Sequence, residues 1–429
     1  MYPLKTIIKK ISGWGNYPKI KATVYQPVTV EELVEIVKSN TSILARGCGR
    51  SYGDSSLSDT VIDMRGLNKI IKEDGSTIQV EAGITLEELN NYLVPKSLFL
   101  QVTPGVTAIT IGGAIASDVH GKNHIHAGSF FNITESFELV NEDGSILHCS
   151  RTENGEQFLK AFGSMGLSGI IISASIKLMP IETTWCREKQ FLADSYDSFY
   201  NLLEKNKNEP HMVSWADLLN PDFKAVVKTG DWMKKNDLPA DKPSNVLTVG
   251  KVKAIPFTFP FAPPSMVFKR NNKKFFTEAK NNPDSILHFG DFFFPLNKLK
   301  NWNRIYGPNG FLQYHFVLAP GFAKKGMEQA IDLVKRSGAS CTLCVVKWFG
   351  KANEETPEAF PMEGYNMALD FINNQKAKDL ARELDQLVKS LGGKIYKTKD
   401  AVSTLPLSVQ SNTKFNSIQN NRYGPQKIT

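Results

Sequence analysis

At 429 residues, 41% of them hydrophobic and 22% charged, the chain is long enough for two domains with ample cores. No apolar run reaches bilayer-spanning length, and five cysteines, an odd number in a large chain, exclude a disulfide framework and fit a reducing compartment. The formal charge of +8 is spread along the chain, so it suits an anionic substrate, a membrane surface or simple solubility, and no nucleic-acid partner is expected. Met1-Tyr2-Pro3-Leu4-Lys5 lacks the h-region of a signal peptide, which predicts a cytoplasmic protein, with peripheral contact at an inner membrane as the variant.

Taken in chain order, the first third alternates strand and helix signals. Thr29 with Glu32 reads as a capping box, and Val30, Leu33, Val34 and Val37 form a helical apolar stripe. The strand Ile43-Leu44-Ala45 then leads into Arg46-Gly47-Cys48-Gly49-Arg50-Ser51-Tyr52-Gly53-Asp54. Three glycines in seven positions make a loop whose backbone can approach a ligand, and whose N–H groups form a nest for phosphate oxygens. The spacing G-x-G-x-x-x-G is one residue too long for a dinucleotide-binding fingerprint. Turn and strand signals follow it, not the helix that fingerprint must open. The loop predicts nucleotide binding of another kind.

Strand Ile78 to Ala82 leads through Gly83 to a second capping box, Thr85 with Glu88. After Pro104-Gly105 comes Thr110-Ile111-Gly112-Gly113-Ala114, read as a capped short helix whose small residues admit either a ligand or close helix–strand packing. A third glycine cluster, Gly163 to Gly169, precedes the strand Ile170 to Leu178. Three such segments suggest one long ligand lying across several loops.

Beyond Pro180 the chain turns to strand-like runs and many aromatics. A poorly periodic stretch, Thr229 to Lys274, centres on the apolar, proline-rich Ala254 to Pro264 between Lys251, Lys253, Lys269 and Arg270. It reads as a lid packed on its own domain or as an interfacial patch. Cys341 and Cys344 resemble a redox or zinc half-site, but they lie in a strand, where residues three apart point to opposite faces. His120, His124 and His126 have metal-like spacing without a local acidic or cysteine partner, so no metal is expected. Gln375 to Leu391 is an amphipathic helix, and Lys394 to Asp400 a short strand feeding a polar loop.

R-G-x-G-R-S-Y-G-D, P-G, T-I-G-G-A-I-A-S-D-V-H-G-K-N and G-x-x-G-L-S-G-I-I together resemble the vanillyl-alcohol oxidase/p-cresol methylhydroxylase superfamily. Within it they resemble the branch that oxidises polyprenyl-phosphoryl pentoses. Later runs extend the likeness over nearly the whole chain: Asn301-Trp302-Asn303-Arg304, Gly310 to Tyr314, Lys347-Trp348-Phe349-Gly350, and Tyr396 to Asp400. The resemblance implies an α+β fold, with a two-subdomain FAD-binding domain of the p-cresol methylhydroxylase type and an antiparallel-sheet cap domain. The expected boundaries are 1–183 and 394–429 for the FAD domain and 184–393 for the cap, with a mobile loop at about 229–274.

The resemblance also implies one FAD. Its pyrophosphate would be held by Arg46, Gly47, Cys48, Gly49, Arg50, Ser51 and Tyr52 and by the Gly112–Gly113 turn. Pro104, Gly105, Ala116, Ser117, Asp118, Gly121, Asn123, Gly166, Gly169, Ile170 and Tyr396 would add contacts. Many superfamily members bond FAD through a histidine in the glycine loop; Arg50 stands at that position here, so the expected flavin is non-covalent. The implied reaction oxidises the ribose 2′-hydroxyl of a lipid-linked sugar phosphate to a ketone, with hydride passing to flavin N5. A separate reductase would complete the epimerisation to arabinose, and a quinone or oxygen would take the electrons. Lys399 and His120 match the active-site base candidates. Lys122 matches a phosphate-facing cation, and Gln313, His315, Lys347 and Asn366 would line the cap side.

The chain departs from the family pattern in places. Ala368 replaces a reactive cysteine, His315 a glutamine, and the segment from Asp400 to Asn412 is short. An FAD-dependent oxidase of free alditols or aldonolactones, and a catalytically impaired flavin-binding subunit, are the competing readings.

Overall fold

A computed structural model describes residues 5–247, 252–351, 353–356, 359–405 and 414–423. Met1 to Leu4, Lys251 and most of the short segment between Asp400 and Asn412 lie outside the described residues. The fold is mixed α+β, built on three principal sheets.

The first sheet has four strands. Thr6–Ser12 and Lys19–Tyr25 pair antiparallel, while Thr60–Asp63 lies parallel to both Lys19–Tyr25 and Leu44–Arg46. The helix Val30–Ser39 buries Leu33, Ile36 and Val37 against Ile43 and Ile62, as its apolar stripe requires. Thr29 Oγ1 accepts from the Glu32 N–H, but the Glu32 carboxylate accepts from the Val28 N–H, so the predicted reciprocal box closes one residue early. At Thr85 and Glu88 the box is complete.

The second sheet has six antiparallel strands. The apolar strand Ile170–Pro180 pairs with Thr77–Glu81, Leu98–Leu100 and Thr134–Val140. The third is an eight-stranded antiparallel sheet running from Asp284–His288 at one edge to Lys394–Ile395 at the other. The helices Tyr196–Asn206, Pro320–Ser337 and Gln375–Ser390 pack their apolar stripes on one face of it, in the largest core of the molecule. Its other face is left to the site described below.

Two expectations need correction. Cys341 and Cys344 do not point to opposite faces. A register shift between Cys341 and Leu343 inserts an extra residue, and both thiols join the same core, unpaired. The stretch at 229–274 is also more regular at its ends than its periodicity suggests. The strand Lys224–Trp232 runs into it, and the helix Ser265–Asn281 starts directly after Pro264, where proline no longer removes a needed N–H.

The segment 394–400 returns to the glycine loop. Tyr52 N–H donates to the Thr398 carbonyl at 3.1 Å, and a Cβ on Gly53 would stand 1.6 Å from the Asp400 carbonyl oxygen. Arg422 closes the same junction by pairing with the buried carboxylates of Asp54 (3.1 Å) and Asp400 (2.8 Å).

Candidate active site

A cavity of about 1420 Å³ runs between the glycine-rich loops and the open face of the third sheet. Its first wall is backbone. Arg46 to Tyr52, Thr103 to Val106, Gly112, Gly113, Ala116, Ser117 and Gly166 to Gly169 supply it, apart from Leu167. The close approach has a steric reason. A Cβ on Gly47 would meet Thr110 Oγ1 at 2.1 Å, and one on Gly49, whose φ is +62°, would meet the Arg46 guanidinium at 2.1 Å. Thr110 caps the Ile111–Ala116 helix through the Gly113 N–H at 3.3 Å. Arg46 is structural: it donates to the Ser12 and Ser56 carbonyls at 2.7 and 3.1 Å. Arg50 instead lies over the Trp14 ring and faces the cavity.

The opposite wall carries the titratable groups. Gln313 and His315 lie on the strand Phe311–Leu318, Lys347 on Cys341–Phe349, and Ala368 and Asp370 on Gly364–Ile372. Gln313 stands directly opposite Asp370 in the sheet and donates to its carboxylate at 2.5 Å. Lys399 comes from the return segment, its ammonium 3.9 Å from the centre of the Tyr52 ring. Burial lowers Lys399 to about 7 and Lys347 to about 8; Asp370 partly restores the charge of Lys399, while Lys347 and Arg50 oppose it. Burial pushes Asp370 up to about 7, with Gln313 and Lys399 pulling it back. The side-chain amines of Lys399 and Lys347 make no hydrogen bond to a described residue and line the cavity, so both are available to a ligand.

His120 and His315 face each other with ring centres 5.9 Å apart, enclosed by Phe349, Phe360 and Tyr396. Burial, reinforced by Lys347, holds His120 well below its ordinary value and His315 at about 3, so both imidazoles are neutral. His315 Nε2 contacts Asn366 Oδ1 at 3.0 Å, and Asn366 donates to the Lys347 carbonyl at 3.1 Å. The Nδ1 atoms of both histidines are buried without a partner. Two unpaired buried nitrogens beside two unpaired amines mark a polar pocket built for a ligand.

The same cavity is also lined by the helix Ser265–Asn281 and its neighbours, where Leu287, Phe292, Phe293, Phe275, Leu343 and Val345 stand among Asn271, Asn272, Lys274 and Glu278. Lys228, also in the lining, pairs with the buried Glu188 at 2.9 Å. The Lys122 ammonium donates to the Phe292 carbonyl and lies 4.7 Å from that ring. Burial brings Lys122 down to about 8.

The cavity thus gathers Arg46 to Tyr52, Pro104, Gly105, Gly112, Gly113, Ala116, Ser117, Gly121, Gly166, Gly169 and Tyr396 with the base candidates Lys399 and His120. Lys122, Gln313, His315 and Lys347 also line it. Four expected residues stand behind the surface. Asp118 accepts from the Phe131 N–H at 3.1 Å, and Asn123 donates to the Gln101 carbonyl at 2.8 Å. Ile170 is core, and Asn366 acts through His315. The three histidines at 120, 124 and 126 make different contacts: His120 and His124 both pack on Phe349, at 4.6 and 4.5 Å between ring centres, and His126 contacts the Asn208 carbonyl.

Sequence reading missed Asp370, Trp14 and the Glu188–Lys228 pair. Only Trp14 carried a signal. It stands between Gly13 and Gly15, whose Cβ atoms would strike the Gly53 and Tyr52 carbonyls at 2.2 and 2.5 Å, so that turn is pressed against the glycine loop.

Residues 22–150 match the FAD binding domain family. The chain is 31% identical over 417 residues to the decaprenylphosphoryl-beta-D-ribose oxidase of Mycolicibacterium smegmatis, covering 93% of this chain and 90% of that protein. It is 30% identical over 201 residues to the L-gulonolactone oxidase of Bos taurus, and 28% over 177 residues to the D-arabinono-1,4-lactone oxidase of Candida glabrata. Those matches cover 44% and 39% of this chain, and 46% and 34% of the two relatives. The site fits FAD: a side chain at Gly47 would strike Thr110 and one at Gly49 would displace the Arg46 guanidinium, the loop that these glycines keep clear lines the cavity and can offer N–H donors, and cations stand at the cavity wall. The chain belongs to the FAD-linked oxidases of the vanillyl-alcohol oxidase/p-cresol methylhydroxylase superfamily, in the family of decaprenylphosphoryl-β-D-ribose oxidase, and is an FAD-dependent oxidoreductase.

Proposed function

We propose that this oxidoreductase converts a sugar hydroxyl to a ketone, and that its substrate is a polyprenyl-phosphoryl ribose oxidised at the 2′-hydroxyl. The carrying observation is the size and lining of one cavity: Lys399, His120, Lys347 and Gln313 share it with a set of large apolar side chains, Phe275, Leu287, Phe292 and Phe293, that a lipid-linked substrate can meet. FAD, when bound, supplies the two-electron acceptor.

In this reading Lys399, neutral for a large fraction of molecules near pH 7, accepts the hydroxyl proton. Asp370 holds Gln313, which orients the sugar; His120 and His315 offer their unpaired nitrogens to the remaining hydroxyls. Lys122 and Lys228, both in the cavity lining, receive the phosphodiester. Arg50 contacts the cofactor without bonding to it, so the flavin is non-covalent. Residues 184–393 serve as the substrate domain, a separate reductase acts on the ketone, and a quinone or oxygen reoxidises the enzyme.

Anaerobic titration of the holoenzyme against lipid-linked and free sugars tests this. Bleaching of the flavin by polyprenyl-phosphoryl ribose, and not by alditols or aldonolactones, is the expected result. The reverse pattern assigns a lactone or alditol oxidase, and bleaching by none of them assigns a non-catalytic flavin protein.

A further inference from the structure

The helix Ser265–Asn281 has two roles along its length. Its later turns line the cavity with Asn271, Asn272, Lys274, Phe275 and Glu278. Its first turn is exposed, with Met266 at 76% and Val267 at 47% of full accessibility. The segment before it continues the same surface: Val252, Phe257 and Phe261 are 55%, 62% and 69% exposed. Large apolar side chains this exposed, five within sixteen residues, need a covering partner.

The segment is anchored to its neighbours. Lys253–Ala254 pairs in parallel with Leu299–Lys300. Arg304 donates to the Ile255 and Pro256 carbonyls at 2.9 and 2.6 Å, and the Phe259 N–H donates to the Arg304 carbonyl at 3.0 Å. Phe268 stacks on Tyr306 with ring centres 5.7 Å apart. The backbone is thus hydrogen-bonded to the rest of the fold, while the rings of Phe257 and Phe261 stay exposed. The charge is one-sided as well. Between Asp241 and Glu278 the sequence contains no acidic residue, but it does contain Lys253, Lys269, Arg270 and Lys273 beside the apolar side chains.

We propose that Val252 to Arg270 is a docking surface for an anionic phospholipid bilayer, its phenylalanines entering the acyl boundary and its cations meeting the headgroups. Because the same helix continues as a wall of the cavity, a lipid-anchored substrate would pass from the bilayer along it to the reacting end. Only this last consequence rests on the polyprenyl reading above; the docking does not.

The test is flotation of the holoenzyme with vesicles of phosphatidylcholine alone or of phosphatidylcholine mixed with phosphatidylglycerol. The expected result is binding to the mixed vesicles, weakened by salt. Lys269→Ala with Arg270→Ala is expected to lower the partition coefficient about 25-fold, at roughly fivefold per surface cation. Phe257→Ser with Phe261→Ser should lower it by about tenfold or more. Phe257, Phe261 and Arg270 are exposed and Lys269 is half-buried, and both double variants should keep their flavin absorbance. Equal binding to both vesicle types, or variants that bind like the wild type, overturns the proposal. So does a lipid-free dimer that the phenylalanine variant dissolves, since the patch would then be a contact between copies. Flotation needs no substrate, so failure of the lipid-linked sugar to bleach the flavin would remove the substrate reading and leave docking intact.

Discussion

The guanidinium carbon of Arg50 lies 3.6 Å from the centre of the Trp14 ring. This contact fixes a cation at the cavity wall without tying up its N–H donors. Arginine offers no atom for a bond to flavin, so acid precipitation is expected to leave the protein colourless and the flavin in the supernatant. Trp14→Ala should weaken FAD binding without abolishing it. A cation–π contact is worth about 0.5–2 kcal/mol, or roughly two- to thirtyfold in dissociation constant, read from flavin fluorescence on dilution.

Lys399 is lowered to about 7, chiefly by burial, so the neutral amine accumulates as pH rises through that value. If this amine is the base, kcat/KM for the reductive half-reaction should climb along an acid limb near pH 7. The Asp370 carboxylate favours the charged lysine, so Asp370→Asn should displace the limb to lower pH. Lys399→Met should reduce the rate of flavin reduction by about 10²–10⁴-fold while leaving FAD bound. An unmoved limb in Asp370→Asn, measured by stopped-flow across pH, would show that the carboxylate does not act on this amine.

The contrast between Lys399 and Asp370 shows what the sequence makes legible. Lys399 sits in a short motif, as do the glycine segments, so each is readable from neighbours in the chain. Asp370 acquires its role only by standing opposite Gln313 across two strands, a register that the chain's local pattern does not encode. Local signals predicted elements well where one residue dominates, as at the Thr85–Glu88 box. They failed where a single inserted residue changes the outcome, as at the bulge that brings Cys341 and Cys344 to one face. Asp118 and Asn123 show a third limit. Both lie in a motif expected to bind a ligand, but their side chains hold backbone of other segments, at Phe131 and Gln101, and nothing in a one-dimensional pattern separates the two uses.

His315 is neutral and pairs with Asn366 at 3.0 Å in a buried site. His315→Gln keeps a polar partner and should cost little stability. His315→Leu strands the Asn366 amide oxygen and should cost about 1–3 kcal/mol, seen as a lowered unfolding midpoint of the holoenzyme.

Arg422 is the only described cation paired with both Asp54 and Asp400, which are 2% and 3% exposed. Arg422→Met leaves two buried carboxylates facing each other. The expected cost is about 3–5 kcal/mol, with loss of flavin occupancy because Asp54 ends the glycine loop. Raising acidity should partly rescue this variant, since protonation relieves the repulsion. Flavin retention measured against pH checks that sign.

The carbonyl of Asp400 fills the space beside Gly53 that any larger residue would need. Nearly the whole chain separates these two contact partners, so the junction has a place in time as well as in space. During synthesis the glycine loop emerges early and must wait, its outer side unsupported, until the ribosome has released the residues around 400. Cofactor capture is therefore a late event of biogenesis, and nascent chains arrested before Tyr396 should not retain flavin however well their first sheets have formed.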